Sequence, residues 1–545
     1  MPDSNMRLLL ASLLLAVGCG GSDAARPPQS DRYEDLTALF TEWRAFQQPK
    51  LLAGVPDYTS AAMAAQYQAL PGYQSRLAAI DPTRWPVGQQ VDHQLVGAEM
   101  NGLDFDHRIL RPWARNPAFY ATVFPSQSDV PAREGPHAAG AVELWTDTFP
   151  LSPDRAEELA RGLGTVPGLL AQAQQNLVGD ARDLWVGGIR VIKEQSADLA
   201  TLAGRLEPNS PVAAAAQRAR AATDSFALWL ESKSASKTGP SGVGIGEYTW
   251  YLQNVHLLPY TWQDQVALMR RELSRAHAAL RLSEHRNRRL PPLAVIGSGA
   301  EHARRFNAAV TEYLSFLDEQ EVVPIRDYMD AALRARIGQF TPGPREFFTE
   351  VDYRDPVVMR THGYHWFDLA RMVKEPHPSP IRRGPLLYNI FDGRAEGLAT
   401  GMEEMMMVAG LFDARPRARE LIYVLLAQRA ARALGDLFMH ANEFSLDQAV
   451  AFASDWTPRG WLPRDGTTAW WEQFLYLQQP SYGTSYLIGK IEIEQLLAER
   501  ARQQGEAFTL KQFMDDLNTA GMIPVPLIRL EFAASAAPAD QPRPR

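Results

Sequence analysis

Apolar residues recur at steps of three and four through most of this chain. The pattern covers 60–80, 154–178, 194–232, 262–288, 299–336, 388–410, 416–440 and 484–505. In one of these stretches Val266, Met269, Leu273, Ala276 and Leu280 fall on a single helical face. Alternation of the strand type is scarce, with Leu184 to Ile192 the best short candidate, and no unit of 20–50 residues repeats. The pattern predicts a mostly α protein, a large helical two-lobed fold with few short strands. With 46% of its 545 residues hydrophobic, the chain can bury a large core. Two stretches break the helical texture: Ser232 to Gly246, rich in Ser, Gly and Lys, and Glu375 to Gly384, with three prolines. The expected lobes are 32–235 and 247–532, with 533–545 a disordered tail. Residues 388–410 and 416–440 are joined by a short turn from Gly410 to Pro416, which predicts that they pack together.

The one cysteine, Cys19, excludes an intramolecular disulfide and a multi-thiolate metal site. It follows Arg7 and a mainly apolar run from Leu8 to Gly18. Eleven helical residues rise about 16 Å, too short for a bilayer core of about 30 Å but right for a signal-peptide core. The ending Ala16-Val17-Gly18-Cys19 resembles the lipobox of bacterial lipoproteins. On that resemblance 1–18 is a signal peptide, Cys19 is the lipidated residue, and 19–31 includes a flexible tether. Gly20 in place of Asp favours the outer membrane by the same comparison, with the protein facing the periplasm and the lipid as its membrane contact.

The net charge of −8, mixed in sign along the chain, is a poor basis for nucleic-acid binding, so no nucleic-acid partner is expected. No Gly-x-Ser-x-Gly occurs, Gly483 to Ile491 departs from the P-loop spacing, and Gly242, Gly244 and Gly246 are spaced wrongly for a dinucleotide fingerprint. None of the eleven histidines is followed by glutamate, which excludes a His-Glu-x-x-His zinc helix.

Four histidines, His362, His365, His377 and His440, fall between 362 and 440. In the same window Glu396, Thr400 and Glu403 share one helical face, as do Arg429, Arg432, Asp436 and His440. Asp436, one turn before His440, is placed to orient its imidazole and raise its basicity. From spacing alone the leading reading is a buried ion-pair seam, with Arg432 neutralising Glu396 or Glu403.

From Tyr33 to Leu530, and best in its C-terminal half, the chain resembles the bacterial domain of unknown function 885 family. Glu396-Gly397-Leu398-Ala399 followed by Glu403 resembles the family's Glu-Gly-Trp-Ala-x-Tyr-x-Glu block, and Ala409 to Asp413 continues it. Arg429 to His440, Gln479 to Lys490 and Phe508 to Pro524 match later blocks. The resemblance implies a fold similar to zinc metallopeptidases. Members with a catalytic motif carry His-Glu-x-x-Pro-Gly-His, where this chain reads Met359 to Trp366. With His365 in the place of the last histidine, Met359 and Arg360 replace the first histidine and the glutamate. Leu398, Gly401 and Met514 also depart from the family's usual residues.

Two functions follow. The first is a divergent metal-dependent hydrolase of peptides or similar amides, with zinc the candidate ion. His365, Glu396 and His362 would be its ligands, His440 backed by Asp436 its base, Tyr486 its electrophile, and Glu403, Arg432 and Tyr482 its substrate contacts. The second is a pseudo-peptidase without metal, whose cleft binds a peptide or envelope fragment.

Overall fold

Helix boundaries in the computed structural model, which describes residues 30–536, are set by local capping. Ser152 and Ser210 accept backbone N–H groups ahead of Pro153–Asn176 and Pro211–Ser234, each with proline at the first helical position. Thr261 and Asp264 close a capping box at the start of Trp262–Arg286, and the stripe from Val266 to Leu280 is buried there. The protein is mostly α. Strands among the described residues are two residues long: Leu51–Leu52 pairs antiparallel with Val55–Pro56, and Val123–Phe124 parallel with Val142–Glu143. No helix of the described residues is long and apolar enough to cross a membrane. The 1–18 leader, Cys19 and nearly all of the 19–31 tether lie outside the described residues, as do 537–545. The last helix, Val525–Ala536, runs through the first four positions of the segment read as a tail.

The strand expected at Leu184 to Ile192 is instead part of the helix Arg182–Ala203. Its buried positions, Leu184, Gly188, Ile192, Gln195 and Leu199, keep helical steps. What disguised it is Gly187-Gly188, poor helix formers that are needed for packing. A Cβ at Gly187 would come within 2.0 Å of the Phe474 ring, and one at Gly188 within 2.8 Å of Pro117. The stretch 194–232 is likewise two helices, Arg182–Ala203 and Pro211–Ser234. The stretch 299–336 divides into Gly299–Glu319 and Asp327–Arg334.

The apolar interior forms two main clusters. The smaller is built on Pro153–Asn176, Arg182–Ala203 and Pro211–Ser234. The larger draws on the early helices Tyr33–Phe46 and Val87–Phe105 together with most of the chain beyond Tyr248. The early helices are tied to the later part by polar links as well. Arg44 bonds both Glu99 and the Pro385 carbonyl, and Asp92 pairs with Arg382.

Two helices of the larger cluster fix the site. Asp392–Val408 is buried on every side from Asp392 to Glu403, and its main neighbour is Tyr482–Gln504. Their backbones touch: a Cβ at Gly489 would lie 1.8 Å from the Gly393 carbonyl oxygen, and one at Gly397 2.4 Å from the Gly489 backbone. Ala418–His440 is buried almost throughout and packs chiefly on Trp262–Arg286. The expected pairing of 388–410 with 416–440 is therefore a lesser contact, which includes the ion pair Arg429–Glu403.

Candidate functional site

Helix faces bring the polar residues together. Glu396 and Glu403 stand two turns apart on Asp392–Val408, and the short helices Pro356–His362 and Tyr364–Lys374 present His362 and His365 to them. One candidate ligand atom from each of His362, His365 and Glu396 lies within 4.8 Å of the other two. The His362 and His365 rings are 5.0 Å apart and nearly perpendicular. Below them a cavity of about 270 Å³ is lined by both histidines, Asp129, Arg336, Arg360 and Trp366.

Glu396 is satisfied at both oxygens. The Tyr482 hydroxyl donates to Oε1 at 2.5 Å, and Nε2 of His365 donates to Oε2 at 3.1 Å. Burial alone would raise Glu396, but His365 pulls it down to about 2. Burial would lower His365, yet Glu396, with Asp129 and Asp368 behind it, lifts the imidazole to about 9. The two form an ion pair with almost no access to solvent.

Glu403 sits in a second arrangement beside the first. Arg429 grips it with two bonds of 2.7 and 2.8 Å, and this charge holds the fully buried carboxylate low against its burial. Nδ1 of His362 lies 3.0 Å from Glu403 and 3.2 Å from Arg429 Nη2. Burial and the Arg429 charge depress His362. Arg429 Nη2 can only donate, so Nδ1 of a neutral His362 accepts from it, and the ring is held between the guanidinium and the carboxylate. Glu403 thus positions His362 rather than facing a substrate.

Arg429 takes the place read for Arg432. Arg432 instead pairs with Glu472 and lies over the rings of Tyr486, at 4.9 Å, and Tyr476. Tyr486 packs on Tyr482 at 5.7 Å, and burial keeps both phenols protonated. Arg360 pairs with Asp352 at 3.1 Å in the wall of the cavity that both histidines line.

The His440–Asp436 dyad does not form. Nε2 of His440 donates to the Tyr476 carbonyl at 2.9 Å, and Asp436 is 3.6 Å from that nitrogen. Burial lowers His440 to about 4 and raises Asp436 well above the carboxylate range, against the pull of backbone amides at the start of Tyr482–Gln504. Neutral His440 is a structural hydrogen-bond donor. Its spacing from Asp436 is right, but its proton is committed elsewhere.

Sequence reasoning missed the acids contributed from afar. Asp129 raises His365, and Glu134 acts on Asp392 and interacts with Glu396. Burial, with Asp129 and Glu396 adding to it, pushes Glu134 up to about 7. Asp392, one turn before Glu396, is raised well above its ordinary range and accepts a bond of 2.5 Å from Gln479. Gln479 in turn bonds Gly135 and Asn389, tying the 124–140 loop to the site. No periodicity marks Asp129 or Glu134; the only signal is the Pro/Gly-rich loop between the short strands.

Part of the site lies in a segment that matches a known family. Residues 365–531 match the family model described as "Bacterial protein of unknown function (DUF885)", and over this part the chain is similar to that family. The match includes His365, Glu396, Glu403, Arg429 and Tyr482 but begins after His362. Two solved structures share the fold. An inferred lipoprotein of unknown function from Shewanella oneidensis superposes with a TM-score of 0.67 at 14% identity, covering 92% of this chain and 100% of that one. An inferred lipoprotein from Colwellia psychrerythraea gives 0.63 at 14% identity, covering 92% and 98%. No curated protein matches the chain.

Proposed function

We propose that the protein is a cell-envelope lipoprotein, anchored by lipid on Cys19 at the outer membrane and facing the periplasm. The lipobox-like ending supports this, and both structural neighbours are described as lipoproteins. We further propose that it is a divergent metal-dependent hydrolase of peptides or similar amides. The observation that carries the reading is the approach of His362, His365 and Glu396 ligand atoms to within 4.8 Å of one another.

Two imidazoles and one carboxylate are a donor set that suits zinc and leaves a coordination position open. The nearby Arg429 charge does not argue against a cation, because Glu403 neutralises it. Loss of the His365 proton to a divalent ion adds one charge to a site that Asp129 also faces. Such an ion, when bound, would polarise a carbonyl and acidify a water. Tyr482 steadies Glu396, and Arg429 and Glu403 hold His362 in place. Tyr486 remains protonated and can donate to a developing oxyanion. Glu134, held near neutrality, is the candidate proton acceptor in place of the glutamate that the sequence lacks.

One observation favours the second reading, a binding protein without metal: His365 and Glu396 already satisfy each other as an ion pair. Elemental analysis of the lipid-free protein, followed by zinc titration, separates the two. The hydrolase reading expects about one ion per chain, lost in His365→Ala, and cleavage in a peptide library. No bound metal and no cleavage with added zinc would leave the binding reading.

A further inference from the structure

A second cavity, of about 480 Å³, opens on the other side of Gln479. Its walls include Tyr58, Trp113, Phe119, Tyr251 and Tyr388, and one ionisable acid, Asp106. Asp106 ends the helix Val87–Phe105 and begins a π-turn, Asp106–Leu110, where the Arg111 amide bonds the Asp106 carbonyl at 2.7 Å. Such turns re-aim a side chain without ending the chain's course, and they are frequent at functional sites.

The surroundings of this carboxylate are built rather than incidental. Gly102, one helical turn earlier on the same face, receives the Tyr388 ring; a Cβ there would lie 2.2 Å from it. Tyr388 holds this place with φ of +56°, a costly conformation for a residue with a side chain. Tyr251 packs on Phe105 at 4.6 Å and donates to the Tyr388 carbonyl. Tyr58 accepts a bond from the Ala139 amide, so its own proton is free. All three phenols sense the Asp106 charge. Among the described residues, no hydrogen bond or ion pair reaches the Asp106 carboxylate, and burial alone pushes it up to about 7. The one cation of the wall, Arg133, is turned to its own loop: it lies 4.0 Å over the Phe124 ring and donates to the Ser126 carbonyl.

An unpaired, half-buried acid at an aromatic-lined cavity lacks one partner, a cation. Carboxylate and ring faces both attract an ammonium group, and the attraction grows once water is excluded. We propose that this cavity binds a primary ammonium group on a short aliphatic chain, as carried by a lysyl side chain or a diamine, with Asp106 as its counter-ion. The site stands independently of metal at His365 and Glu396, although Gln479 lines the cavity and bonds Asp392 beside that centre.

The test is calorimetric titration of the protein with 1,5-diaminopentane, with 1-pentanol and pentanoate as neutral and anionic probes of similar shape. The expected result is saturable binding of the diamine at least about ten-fold tighter than either control, reduced at least about ten-fold in Asp106→Asn. This variant removes a charge that no side chain of the protein pairs, so it should melt no lower than the parent. Equal binding of 1-pentanol and the diamine by the parent protein overturns the proposal without any variant. Diamine binding undiminished in Asp106→Asn overturns it too, and places the amine elsewhere.

Discussion

Replacing Glu396 with glutamine tests the electrostatics at the centre of the site. The amide is isosteric and can still accept from Tyr482, so the change removes mainly the charge that faces His365. His365 is held above its ordinary 6.5, at about 9, and Glu396 below its ordinary 4.5, at about 2. At about 1.4 kcal/mol per pH unit, either displacement is worth about 3 kcal/mol. They are one interaction seen from its two ends, so it counts once. A raised histidine contributes stability that is complete below about 6.5 and is lost as pH rises through about 9. A depressed carboxylate contributes stability that is complete above about 4.5 and is lost as pH falls toward about 2. The pair is therefore worth most near pH 5.5. Urea unfolding in the presence of a chelator should show Glu396→Gln costing about 3 kcal/mol at pH 5.5 and under about 1 kcal/mol at pH 10. A cost that is the same at both pH values would refute the ion pair.

The other expectations concern neighbouring features. Arg429→Met leaves Glu403 charged and buried without its guanidinium, and should cost about 3–5 kcal/mol by chemical denaturation, much of it recovered in Arg429→Met/Glu403→Gln. Gly489→Ala drives a methyl into the Gly393 carbonyl and should cost about 3 kcal/mol or more, read as a lowered melting temperature by circular dichroism. His440→Ala should leave metal content unchanged while lowering stability by about 1–3 kcal/mol, because only the Tyr476 carbonyl loses its donor. Cys19→Ser should move the protein from the membrane to the soluble fraction on cell fractionation; continued membrane association would overturn the anchor.

Periodicity made the helices legible, and with them the faces on which Glu396 and Glu403 stand. It failed at Gly187-Gly188, where close packing against Phe474 and Pro117 selects residues that read as helix breakers. The approach of His362 and His365 to Glu396 was anticipated from their clustering in sequence, helped by a family resemblance. The choice between Arg429 and Arg432 was not legible. They are three residues apart on a helix buried almost all round, so no exposed face orients it, and its rotation is set by packing partners. His440 misled for a different reason: spacing can place Asp436 one turn away but cannot show that the Tyr476 carbonyl takes the proton. Asp129 and Glu134 lie more than 200 residues before His365, on a loop that Gln479 ties down, and such long-range placement leaves no local pattern.

An ion-pair seam and a metal centre entered as competing explanations of the same residues, and the geometry joins them. The seam is real, but its members are Arg429 and Glu403, which stands two turns from Glu396 and touches His362. Nδ1 of His362 lies 3.0 Å from Glu403 and accepts from Arg429 Nη2 at 3.2 Å, so the seam holds that ring in place. Burial, with the Arg429 charge adding to it, depresses His362, whereas Glu396 overcomes burial and raises His365. Of two histidines three residues apart, one is therefore kept neutral by its surroundings and the other charged. A divalent ion would have to displace the proton on His365, and the field of buried Glu396 and Asp368 with half-buried Asp129 that holds this proton is the same field that would hold the ion.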